Sequence, residues 1–90
     1  MLEILGSKMY PSKAQMTKLR HKDEMAGTDT VFYVRENVTP EGVQVLELCA
    51  PENDWTRIAG IVGCEDSVKR PILKAPDFTP EWAEAELKGS

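Results

Sequence analysis

Val31-Phe32-Tyr33-Val34-Arg35-Glu36-Asn37-Val38-Thr39-Pro40-Glu41-Gly42-Val43-Gln44-Val45-Leu46-Glu47-Leu48-Cys49-Ala50 is the stretch that decides how this 90-residue chain folds. Two apolar runs, 31–34 and 43–48, flank Thr39-Pro40-Glu41-Gly42. Pro40 can start a type I turn, and Gly42 can take the left-handed position that closes a three-residue hairpin loop. That loop sets the register, with Thr39 opposite Val43, Arg35 opposite Glu47, Val34 opposite Leu48 and Phe32 opposite Ala50. An opposite-charge pair falling in line supports the alignment. One hairpin face then collects Phe32, Val34, Val38, Leu46, Leu48 and Ala50, and is expected to be the core side. Tyr33, Arg35, Asn37, Val45, Glu47 and Cys49 share the other face, expected to be partly wet.

Working outward, Leu2 to Leu5 reads as a short strand ended by Gly6-Ser7. Ser12 is an N-cap candidate, Gln15 completes a capping box, and Gly27 is a stop signal. With Met16, Leu19 and Ala26 on one side at helical spacing, the pattern predicts a helix over 13–25. Beyond the hairpin, Pro51-Glu52-Asn53-Asp54 is a turn, and Trp55 to Val62 reads as a third strand with Ile58 and Val62 inward. Cys64-Glu65-Asp66-Ser67 reads as another turn. Val68 to Lys74 reads as a fourth strand, confined to an edge by Pro71. Thr79 caps a final helix over 80–88, with Pro80 at its first position, Glu81 and Glu84 at its positive end, and Gly89 after it. The expected fold is α+β over residues 1–90: an antiparallel sheet of three to four strands built on the 31–50 hairpin. Helices near 13–25 and 80–88 are expected to pack on one of its faces.

A composition of 41% hydrophobic and 29% charged residues is that of a folded chain. No apolar run approaches the ~20 residues of a membrane span. The first residues lack a cationic start and a long apolar centre, and two cysteines are too few for a disulfide scaffold, so a cytoplasmic setting is expected. The net charge of −4 is unevenly spread. Residues 1–22 carry five Lys and Arg against Glu3 alone, while residues 23–90 carry six against fourteen acids. The basic segment therefore either lies across the acidic body of its own chain or meets a partner.

Catalytic chemistry has little to build on. His21 stands alone among Lys18, Arg20 and Lys22 and is expected to be a solvated surface residue. Two cysteines and one histidine make no metal-ligand spacing, so no metal and no cofactor is expected. Cys49 and Cys64 fall far apart in the expected sheet and should be free thiols. The reading is a non-enzymatic protein–protein interaction module, a small phage or mobile-element accessory or inhibitor protein. It would bind its partner through the sheet face and C-terminal helix, using Tyr33, Arg35, Val45, Glu47, Trp55 and Trp82, because aromatics and arginine anchor interfaces. One alternative is a nucleic-acid-binding accessory protein that uses the basic 8–22 segment through Lys13, Lys18, Arg20 and Lys22. Another is a small self-assembling virion component that pairs through an edge at 68–74, and a homo-oligomer fits either setting.

Overall fold

The computed structural model describes residues 2–65 and 70–89. It is α+β: a five-stranded sheet in the order β1-β2-β3-β4-β5 with two helices. The strands are β1 (Leu2–Met9), β2 (Gln15–Asp23), β3 (Thr28–Val38), β4 (Gln44–Cys49) and β5 (Ile72–Leu73). The helices are α1 (Trp55–Glu65), preceded by a 3₁₀ turn at Glu52–Asp54, and α2 (Pro80–Lys88). The first four strands form an antiparallel meander, and β5 joins β4 in parallel after the α1 crossover. No helix among the described residues is long and apolar enough to cross a membrane.

The 31–50 hairpin forms in the expected register, with Arg35 opposite Glu47 and Val34 opposite Leu48. Its turn is closed by Thr39 N–H to the Val43 carbonyl at 2.9 Å and Gly42 N–H to the Thr39 carbonyl at 2.8 Å, with Gly42 at φ 84°. The helix over 80–88 also forms. The Thr79 hydroxyl accepts from the Trp82 N–H at 3.1 Å, Pro80 opens the helix, and Gly89 caps it.

Four expectations are corrected. Residues 15–23 are strand β2, not part of a helix over 13–25. Tyr10 to Ala14 make a second hairpin turn with the same bonds as the first: Tyr10 N–H to the Ala14 carbonyl at 2.9 Å and Lys13 N–H to the Tyr10 carbonyl at 2.8 Å. Lys13, at φ 68°, holds the left-handed position that Gly42 holds in the other turn. Gly27, read as a helix stop, is instead the left-handed residue (φ 69°) of the turn between β2 and β3. Residues 55–65 are helix α1 rather than a third strand. Trp55, Ile58, Ala59 and Val62 follow a 3.6-residue period, and that spacing overrides the strand preference of Ile58, Ile61 and Val62. Ile58 and Val62 do face inward. Of the expected fourth strand only Ile72–Leu73 is strand, on the outer side of β4, while Val68 and Lys69 lie outside the described residues, as do Asp66 and Ser67 of the expected turn.

The helices cover opposite faces, which is the fourth correction. Phe32, Leu46 and Leu48 pack with Ile58 and Val62 of α1. Met16, Tyr33 and Cys49 pack with Phe78 and with Ala83 of α2. The face expected to be wet is therefore a second core, smaller than the first.

Candidate functional site

Alternation along β3 and β4 aims Tyr33, Arg35, Val45 and Glu47 toward α2. Tyr33, Val45 and Glu47 are 7%, 5% and 7% exposed, so three of the expected contact residues are not surface. The premise of an exposed hairpin face fails because α2 and the segment before it lie across it. What the face does hold is a clamp around Arg35. Its Nε donates to Glu47 Oε1 at 3.0 Å and its Nη2 to Glu47 Oε2 at 2.9 Å. Nη2 also reaches Asp77 Oδ1 at 3.3 Å. The guanidinium lies 4.7 Å from the Phe78 ring centre and 4.8 Å from that of Trp82, while the two rings meet edge to face. Asn37 donates to Glu47 Oε1 at 2.9 Å. A planar cation held by a bidentate carboxylate and two aromatic rings is a strong, specific contact, and here it ties α2 to the sheet. Trp82 thus joins Arg35, whereas Trp55 sits apart on the α1 side. The Trp55 indole donates to the Leu48 carbonyl at 3.3 Å, and Lys74 Nζ lies 5.1 Å from its ring centre.

The basic segment is largely paired within the chain. Lys18 Nζ donates to Glu84 Oε1 at 2.7 Å, and this bond holds the Glu84 carboxyl below its ordinary range. Lys8 Nζ lies 3.9 Å from Glu86 Oε2, whose other oxygen accepts from the Tyr10 hydroxyl at 2.8 Å. Burial first, and then Glu86, push the Tyr10 hydroxyl up to about 12. Arg20 Nε donates to Asp29 Oδ1 at 2.7 Å and depresses that carboxyl. Lys13 and Lys22 stand beyond and near opposite ends of β2. At ~3.3 Å per residue that is roughly 30 Å apart, so the four cations of the nucleic-acid alternative do not form one patch.

His21 differs from expectation as well. It is half-buried on β2, and its Nδ1 is enclosed without a hydrogen-bond partner, as is the Thr28 hydroxyl oxygen. Cys49 is buried, which raises its thiol, and Cys64 is exposed at the end of α1; both are free.

The short strand expected at Leu2 to Leu5 is present but runs on to Met9, and neither that length nor its place at the outer edge was expected. β1 is paired only with β2, and among the described residues no strand meets its other edge. Ile4, Leu5 and Met9 are 70%, 42% and 63% exposed on it. Beside Ile4, where α1 stops short of β1 and β2, a shallow groove of about 340 Å³ is lined by Leu2, Ile4, Thr17, Leu19, Val34, Leu46 and Val62 together with the charged Glu36, Glu65 and Arg70. The β1–β2 register slips between Ile4 and Gly6, which makes Leu5 the extra residue of a bulge. The signal available in the sequence was Leu2-Glu3-Ile4-Leu5, an apolar strand with no proline to blunt it, but its eight-residue length was hidden by Gly6-Ser7. Comparison of the chain with protein-family models, with curated proteins and with solved structures finds no match.

Proposed function

We propose that this chain is a non-enzymatic interaction module that joins another polypeptide by strand addition at the outer edge of β1. The observation that carries this reading is the eight-residue outer strand with Ile4, Leu5 and Met9 exposed, Ile4 at the side of a groove that holds both apolar and charged side chains. An added strand would satisfy the unpaired main-chain groups of β1, and its alternate side chains would fall on the groove. The interaction surface is thereby moved from the α2 face, which is closed, to the outer edge of β1. An accessory or inhibitor role in a phage or mobile element, working in the cytoplasm, is the setting this proposal keeps from the size and charge of the chain.

Photo-crosslinking side chains placed at Ile4, at Met9 and, as a control, at Leu73 test it in native lysate. Leu73 is 44% exposed on the opposite edge of the sheet. Adducts to a discrete polypeptide from Ile4 and Met9 but not from Leu73 are expected. Equal labelling from all three, or none, refutes an edge-specific site.

A further inference from the structure

The β1 edge is complementary to itself. Its cross-strand partners place Leu2, Ile4, Ser7 and Met9 on the α1 side of the sheet and Glu3, Gly6 and Lys8 on the α2 side. Glu3 and Lys8 are five residues apart and would face opposite ways on a regular strand. The bulge at Leu5 brings them to one side. A two-fold axis normal to a sheet keeps every residue on its own face, so opposed residues must share a face. Without the bulge, no such axis could set Glu3 against Lys8.

We propose that the outer edge of β1 pairs with the β1 edge of a second copy of this chain, antiparallel and centred on the Leu5 bulge. The two sheets then run on as one. In this register Glu3 meets the second copy's Lys8 and Lys8 its Glu3. Ile4 meets Ser7, and Leu2 meets Met9. All eight residues of β1 take part, and the exposed Ile4 and Met9 side chains are covered on the α1 side. Centring the axis on Glu3 or on Lys8 would oppose like charges instead. Glu3 already lies beside Arg20 on β2, so the pairing sets it between two cations. This inference deepens the strand-addition reading and depends on it. A bulge in an outer strand can also serve to blunt the edge, and that role predicts a monomer.

Sedimentation of the full chain across the micromolar to millimolar range separates the two. A dimer is expected. Glu3→Lys alone and Lys8→Glu alone each turn both charge pairs repulsive and should raise the dissociation constant about tenfold. Equal mixing of the two variants should return it to near the wild-type value, because every cross-copy pair is again attractive. Far-ultraviolet circular dichroism shows that each variant is folded. Independently, Ile4→Cys with Ser7→Cys in a Cys64→Ser background should close a disulfide between copies on oxidation, since opposed Cα atoms lie ~5 Å apart. A wild-type monomer throughout, or a dimer indifferent to both charge reversals, overturns the inference. If that monomer still cross-links from Ile4 and Met9 to a different polypeptide, the strand-addition reading stands with another partner. Without those cross-links both readings fall.

Discussion

Arg35 shows what one residue contributes when three elements converge on it. Its side chain is 12% exposed and that of Glu47 10%, so the pair is largely out of water. The pairing of Arg35 with Glu47 was legible from the turn, because a three-residue loop dictates which residues oppose each other. Phe78, Trp82 and Asp77 were not, since they lie more than forty residues away and arrive only with α2. Deleting Arg35 leaves the buried Glu47 carboxylate without its cation, with the Asn37 amide as its remaining donor. Arg35→Ala should therefore cost on the order of 3 kcal/mol in a urea titration. Arg35→Met combined with Glu47→Gln should recover much of that loss, because the orphaned carboxylate is gone. A loss as large in the double variant as in the single one would show that packing against the rings, and not charge, dominates.

At the scale of elements, the two hairpin turns contrast usefully. Thr39 to Val43 and Tyr10 to Ala14 close with the same pair of main-chain bonds, yet only the first was recognised. Gly42 announces a left-handed position; Lys13 in the same position does not. An L-residue with a side chain in that conformation is strained by about 1 kcal/mol, and glycine is not. Lys13→Gly should raise the stability of the protein by about 0.5 kcal/mol, the extra freedom of glycine in the unfolded chain offsetting part of the relief. Thermal unfolding followed by circular dichroism measures it, and a destabilised variant would mean that the Lys13 side chain contributes more than its backbone costs. Once that turn is hidden, residues 15–23 show only a thin helical stripe. The dipole clash of Lys13 near the start with Asp23 and Glu24 near the end was the warning sign.

Over the whole molecule, the uneven charge resolves into contacts between the N-terminal hairpin and α2: Lys18 with Glu84, Lys8 and Tyr10 with Glu86. Tyr10 makes this docking depend on pH. In the native protein it keeps its proton to about 12, while the unfolded chain releases it near the ordinary value of 10.0. Between those values the unfolded state binds fewer protons, so stability falls as pH rises. Stability should be level on this account below pH 10 and decline toward pH 12, and Tyr10→Phe should flatten the decline in a pH series of urea titrations. An unchanged slope would assign the alkaline loss to other groups raised in the native state, Tyr33 by burial and Lys18 by its bond to Glu84. By itself the sequence determined the 31–50 hairpin, its register and the capped helix at 80–88. Those depend on residues a few positions apart: a turn with proline and glycine, a cap with its first-turn proline. Only the tertiary structure decided that 15–23 is a strand, that the helices take opposite faces, and that β1 is left as the outer edge. Strand pairing and the covering of a sheet face are contacts between distant segments, and no local preference in either segment carries them.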